Sequence, residues 1–325
     1  MRAAAAPLMA GLVMALLASG CSNDGQGPVA ERPGTTTRSP SSPTMKDTPS
    51  QIAPTRAPET PGPLRVATAV DAVDHLARTI GPRHATSPAF GRAARWLARR
   101  FRQAGYVVSR PRFAVPGGSS WGVAVSAGHS ENVVATTPGF DPRRPHLVIG
   151  AHLDTVPSSP GAEDDGSGIG VLLMLADALA ETTSVSRLPV VLVGFGAEEP
   201  RGDTDADHHY GSRAYVRSLS PAERRAVRGM LALDRVGVGA VVPVCSAGDD
   251  VARAEVLRAG RRAGVPMLAC DNRSSDHWSF VEQGMPGVRL GGTSYAAYHS
   301  PADLPAVVDR AQLRRTARLA MAWLR

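Results

Sequence analysis

Apolar side chains are distributed unevenly along the chain. Residues 3–17 are small and apolar, residues 22–63 carry almost no large apolar side chain, and periodic patterning begins only at Leu64. Residues 68–80 and 88–104 place apolar positions at helical spacing, and Gly105 marks the end of the second helix. Residues 106–115, 121–127 and 132–136 read as antiparallel strands separated by Pro and Gly signals. The rhythm then changes. Residues 146–150, 189–195 and 230–233 are continuous apolar runs, as expected of strands covered on both faces, and helices at 168–180 and 210–219 lie between them. A further helix is predicted over 251–263, a strand at 288–290 and a long terminal helix over 304–324. The alternation predicts an α/β fold with a mixed, mainly parallel central sheet flanked by helices, and nothing between 64 and 325 reads as a linker.

Composition narrows the class. The 325 residues are 43% hydrophobic with three cysteines, enough for one large core and too few cysteines for a disulfide scaffold. Net charge is +7, but 35 of the 36 basic residues are arginine and Lys46 is the one lysine, a bias that reads as genomic. With 5% aromatic residues and no interleaved basic and aromatic motif, no nucleic-acid partner is expected.

Arg2, the apolar run and the small residues Ala18, Ser19 and Gly20 form a signal segment over 1–21, too short to span a membrane. Its end, Leu17-Ala18-Ser19-Gly20-Cys21, resembles a bacterial lipobox, in which the cysteine is lipidated and becomes the N-terminus. The expectation is an exported protein, anchored to the cell membrane through lipid on Cys21 and facing outside the cytoplasm. Residues 22–63, rich in Ser and Thr with nine prolines, are expected to form a disordered tether. In an exported protein the remaining pair, Cys245 and Cys270, is expected to form a disulfide.

Candidate chemistry lies where the buried runs end, which in open α/β sheets is where ligands bind. The first run leads into His152-Leu153-Asp154, which read alone is a structural histidine beside a carboxylate. Gly161-Ala162-Glu163-Asp164-Asp165-Gly166-Ser167-Gly168 follows, three consecutive carboxylates that repel one another unless a cation is present. Asp165 also suits the N-cap of the next helix, and the glycine spacing does not fit a dinucleotide loop. The second run ends in Glu198-Glu199, a pair that an extended chain must point in different directions, leaving one for metal and one for protons. Asp234 follows the third run, and Tyr298-His299-Ser300 lies in a polar turn before the terminal helix.

In this order the residues resemble metallopeptidase family twenty-eight, the co-catalytic di-zinc aminopeptidases, over about residues 65–325. The segments Gly-Ala-Glu-Glu at 196–199, Tyr-Gly-Ser-Arg-Ala-Tyr-Val at 210–216 and Ser-Asp-His-Trp-Ser-Phe at 275–280 look like that family. The resemblance implies the zinc-dependent exopeptidase (aminopeptidase-like) fold over 64–325 and two Zn²⁺ per chain acting on a peptide substrate. It further implies that Asp164 bridges the metals, His152 and Asp234 complete one site, Glu199 and His299 the other, and Glu198 is the general acid/base. Asp154 would support His152 through its other ring N–H, and Tyr298 would either donate its hydroxyl to the developing oxyanion or simply pack. Asp276 and His277 read as supporting residues, and Asp303 as orienting His299 or capping the last helix. The 200–209 segment is more polar than the family's, a rim loop in which His208 and His209 read as solvated. Carboxypeptidases and glutaminyl cyclases share this fold, and a non-catalytic envelope binding protein could be built on it. No Gly-x-Ser-x-Gly elbow supports a serine hydrolase.

Overall fold

A computed structural model describes residues 63–181, 186–247 and 251–325. The expected signal segment and all of the expected tether except Pro63 lie outside the described residues. Helix α1 (Val66–Asp74) runs on through a π-helical stretch over His75–Ile80. Helix α2 (Pro88–Gln103) starts where the Ser87 hydroxyl accepts the Phe90 N–H and Pro88 presets the first turn. Its apolar stripe of Phe90, Ala94, Leu97 and Phe101 is buried.

Short strands follow: β1 (Val107–Ser109), β2 (Arg112–Val115), β3 (Gly118–Ser120), β4 (Val123–Val125), β5 (Gly128–Glu131) and β6 (Val133–Thr136). The predicted strand at 106–115 is therefore two strands. The one predicted from 121 begins at 123, because Trp121 and Gly122, both at positive φ (+50° and +77°), form the two-residue turn of the β3/β4 hairpin. The remaining elements are β7 (His146–His152), α3 (Gly168–Ala180), β8 (Val190–Phe195), α4 (Tyr210–Ser218), α5 (Pro221–Ala226), β9 (Val227–Leu233), β10 (Val242–Ser246), α6 (Val251–Arg262), β11 (Met267–Asp271), α7 (His277–Val281), β12 (Gly287–Leu290) and α8 (Arg310–Leu324). Elements α5, α7, β10 and β11 were not expected. The terminal helix starts six residues later than predicted, since Pro305–Val307 forms one separate 3₁₀ turn and the Asp309 carboxylate caps α8 by accepting the Ala311 N–H at 2.8 Å.

Eight strands form one sheet in the order β1-β6-β8-β7-β9-β12-β10-β11. The central four, β8, β7, β9 and β12, are mutually parallel, while β1, β6 and β10 introduce antiparallel pairings. The predicted α/β class with a mixed, mainly parallel sheet holds. Strands β7 and β8 are buried at every position, which is why they read as unbroken apolar runs. Cys245 and Cys270 sit opposite each other in the β10/β11 register and are disulfide-bonded. The glycines of the 166–170 segment answer to packing: a Cβ on Gly166, Gly168 or Gly170 would lie 2.8, 2.4 and 2.8 Å from the carbonyl oxygens of Gly161, Leu233 and Ala69.

Candidate metal centre

Three adjacent parallel strands deliver the centre at their carboxyl ends. His152 is the last residue of β7, Asp234 follows β9 directly, and Glu198 and Glu199 follow β8 after Ala197, whose left-handed backbone (φ +55°) turns the chain. The loop before α3 supplies Asp164, joined to Asp165 by a cis peptide, and the loop after β12 supplies His299. All are buried except His299, which is half-buried with its side chain 4% exposed.

The two oxygens of Asp164 face two histidines, Oδ1 at 3.0 Å from His152 Nε2 and Oδ2 at 3.0 Å from His299 Nε2. Glu199 Oε2 lies 3.3 Å from His299 Nε2. Donor atoms of His152, Asp164 and Glu199 fall within 4.8 Å of one another, as do those of His152, Glu198 and Asp234. The adjacent glutamates diverge as expected: Glu199 turns to His299, and Glu198 Oε1 lies 3.2 Å from His209 Nε2. Glu199 Oε1 and His299 Nδ1 are buried without a hydrogen-bond partner.

Electrostatics describe a centre short of positive charge. Burial pushes Glu198 up to about 8 and Glu199 up to about 7, with neighbouring carboxylates adding to both shifts. Burial alone would lower His152 and His299, yet the surrounding carboxylates raise His152 well above its ordinary value and His299 to about 10. Three carboxylates and two imidazoles, converging, buried and partly unsatisfied, are the donor set zinc takes, so the residues fit the metal.

Carboxylates around the centre fix its backbone. Asp154 accepts the N–H groups of Glu198 (3.0 Å) and Glu199 (3.2 Å). Its carboxylate stands 3.9 Å from His152 Nδ1, and the atom within hydrogen-bond range of that ring nitrogen, at 3.2 Å, is its backbone carbonyl. The expected support of His152 by the carboxylate is thus displaced by two stronger claims on its oxygens. Asp165 caps α3 through the Gly168 N–H (2.9 Å) and also accepts from His152 and Arg235. Asp303 neither orients His299 nor caps the last helix: it accepts the N–H groups of Glu163 (2.9 Å) and Asp164 (3.1 Å), and the Tyr295 hydroxyl donates to it.

Sequence reasoning missed Arg83, fully buried, whose guanidinium donates to the carbonyls of Leu153 (2.8 Å), Pro160 (2.6 Å) and Gly161 (3.0 Å) and so ties down the loop between His152 and Asp164. Its signal, an arginine in a Gly-Pro-Arg-His turn, is indistinguishable from a solvated one. His209 also differs from expectation. It is 4% exposed at the entry to α4, and burial pushes it down to about 4. Asp276 and His277 are buried nearby, as expected of supporting residues.

Above the centre the surroundings change. Tyr298 stacks on the His299 ring (centroids 3.7 Å apart), and Trp121 meets that ring edge-on at 4.4 Å. Trp121 is 58% exposed and Tyr298 37%. The polar segment after Glu199 does form a rim: Ser119 of the hairpin donates to the Arg201 carbonyl, and buried Arg201 donates to the carbonyls of Pro116 and Ser126.

Comparison with known proteins agrees with this geometry. The family model of peptidase family M28 matches residues 132–324, well over half of the chain. An aminopeptidase of Pseudomonas aeruginosa is 36% identical over 106 residues, a stretch that is 33% of this chain and only 18% of that protein. The uncharacterized protein YfbL of Escherichia coli K12 is 26% identical over 293 residues, covering 76% of this chain and 83% of the relative. Among solved structures, a zinc aminopeptidase from Bacillus subtilis superposes with a TM-score of 0.70 at 19% identity, over 80% of this chain and 94% of its own. A glutaminyl cyclase of Porphyromonas gingivalis gives 0.66 at 20% identity, over 80% and 97%. At such identities the likeness establishes the fold, and with the family match and the converging ligands it places the chain in peptidase family M28.

Proposed function

We propose that the protein is a zinc-dependent exopeptidase that releases N-terminal residues from peptides, an aminopeptidase with two zinc ions per chain. One observation carries the reading: a single buried carboxylate, Asp164, presents one oxygen to each of two histidines beside the buried Glu198. His152, Asp234 and Asp164 would hold one ion, and Glu199, His299 and Asp164 the other. Zinc bound there supplies a Lewis acid for the scissile carbonyl and acidifies a water towards neutral pH. Glu198 takes the proton of the attacking water and returns it to the leaving amine. Burial raises Glu198 above the ordinary carboxylate range, so that one group serves as base and then as acid. Asp154 keeps Glu198 and Glu199 diverging by holding both their N–H groups. Tyr298, beside His299, would donate its hydroxyl to the developing oxyanion.

The reading extends to location. The lipobox-like end at residues 17–21 supports export and lipid attachment at Cys21, with residues 22–63 as tether. Radiolabelled palmitate incorporated by the wild type and not by Cys21→Ser would support this, and equal labelling would reject it.

The activity is tested by elemental analysis of the purified protein together with aminoacyl-chromophore hydrolysis, with and without chelator. Two zinc ions and chelator-sensitive release of the N-terminal residue are expected. Two ions without release would move the assignment to carboxypeptidase or glutaminyl-cyclase chemistry. A protein that takes up no metal would be a binding protein on a peptidase scaffold.

A further inference from the structure

Arg235 follows the ligand Asp234, and the metal centre does not account for it. Its backbone is left-handed (φ +56°), a costly conformation for a side chain of this size, and is held by the Arg235 N–H donating to Asp165 (3.1 Å) and by the Gly292 N–H donating to the Arg235 carbonyl (3.0 Å). The side chain is 16% exposed and lays its guanidinium over the Tyr298 ring, 4.4 Å from the centroid. Asp234 does not need this cation. Its Oδ1 already accepts from buried Arg289 at 3.0 Å, whereas Arg235 Nε stands 3.7 Å away, beyond hydrogen-bond range. Among the described residues the Arg235 guanidinium makes no hydrogen bond. Five planar donors, mostly withdrawn from water, with Nε 3.7 Å from the Asp234 carboxylate and none hydrogen-bonded, are costly unless a ligand completes them. The group whose geometry matches such a fork is a carboxylate, and a guanidinium already fixed by stacking loses little further freedom in binding one.

We propose that Arg235 anchors a carboxylate subsite beside the metal centre, so that preferred substrates carry a carboxylate close to the scissile bond. It is either the acidic side chain of the terminal residue or the α-carboxylate of a short peptide. This rests on the peptidase reading above.

Two matched pairs separate the sources of the carboxylate: glutamyl against glutaminyl anilide, and a neutral dipeptide against its C-terminal amide. In one pair the wild type should favour the carboxylate by about tenfold or more in kcat/KM, the scale of one charge-assisted hydrogen bond. Arg235→Met should bring that ratio to about one, and Arg235→Lys should keep part of it, with zinc content measured alongside to show that the centre is intact. Ratios near one for both pairs in the wild type, or a preference that survives Arg235→Met, would overturn the subsite. Should nothing be hydrolysed, the peptidase reading fails on its own, and calorimetry still decides this one. Glutamate binding more tightly than glutamine, or glycylglycine more tightly than its C-terminal amide, in the wild type with the difference gone in Arg235→Met, supports the subsite, and equal binding within both pairs overturns it.

Discussion

The floor and the rim of the site are built by different means. On the floor the segments that carry the ligands and the general base, the His299 turn apart, are held by buried carboxylates: Asp154 holds 198–199, Asp165 holds His152, Asp303 holds 163–164, and Glu163 holds the Gly237 N–H beyond Asp234. The rim, Trp121 with Tyr298 and Arg235, is held by ring and cation contacts, and Trp121 is largely exposed. Backbone hydrogen bonds to buried carboxyl groups fix the main chain itself, whereas ring and cation contacts fix side chains alone. The difference divides labour: geometry that must suit a metal is made through the main chain, and selectivity is left to side chains packed on one another.

Changes to the floor should therefore have the largest effects. Glu198→Ala is expected to keep both metals and lose about 10²-fold or more in kcat, while Asp164→Ala loses metal as well. Zinc analysis beside steady-state rates checks this, and a Glu198→Ala protein of undiminished kcat would remove the base from the mechanism. Next comes Asp154→Asn, which sets an amide donor against one of two backbone N–H groups. A loss of about 10- to 100-fold in zinc affinity or rate is expected, read by chelator competition. An unchanged affinity and rate would mean that the floor does not depend on this carboxylate.

The same division explains what the sequence made legible. Strands β7 and β8, and β9 from Gly229 on, announce themselves because burial on both faces leaves no polar interruption, and the residues at their carboxyl ends are the functional ones. Strand β11 was missed although residues 267–270 are all apolar: it is a half-exposed edge strand, not the buried kind such a run suggests. Trp121 resembles the start of a strand because apolarity cannot distinguish a strand from a hairpin turn, and only its positive φ makes the difference. His209 sits in a polar segment that predicts solvation, yet the docking of α4 buries it against Glu198. Asp303 reads as local to His299, but the backbone N–H groups it holds are 139 and 140 residues away, a separation no motif encodes.

Floor residues outside the ligand set should also show in stability. His277 is fully buried, with Nε2 2.9 Å from the Asn272 carbonyl, and burial pushes it down to about 4. The unfolded chain therefore takes up a proton near pH 6.5 that the folded chain refuses until about 4. Stability is fully present above the unfolded value and falls as pH drops through that window, by on the order of 3 kcal/mol. His277→Gln keeps a donor for the Asn272 carbonyl and does not titrate. In chelated protein its denaturation midpoint should fall less than that of the wild type between pH 7 and pH 4.5. His209, shifted in the same direction, sustains part of the slope in both. Identical slopes would show that His277 takes up its proton without unfolding the chain.

Trp121 gives the smallest effect and the sharpest discrimination between floor and rim. Its indole covers one edge of His299, but that ring is already stacked on Tyr298, and its Nε2 is within 3.3 Å of both Asp164 and Glu199. The histidine is therefore held without the tryptophan. If the indole serves only as an apolar wall for substrate, Trp121→Ala removes binding made equally in the ground and transition states. KM for apolar aminoacyl substrates should then rise about fivefold, about 1 kcal/mol, with kcat and zinc content unchanged. If the edge contact instead sets the angle of the imidazole, kcat and zinc affinity fall together and KM does not rise. That second outcome would make Trp121 part of the floor, reached through a hairpin turn rather than through the carboxylates that fix the rest.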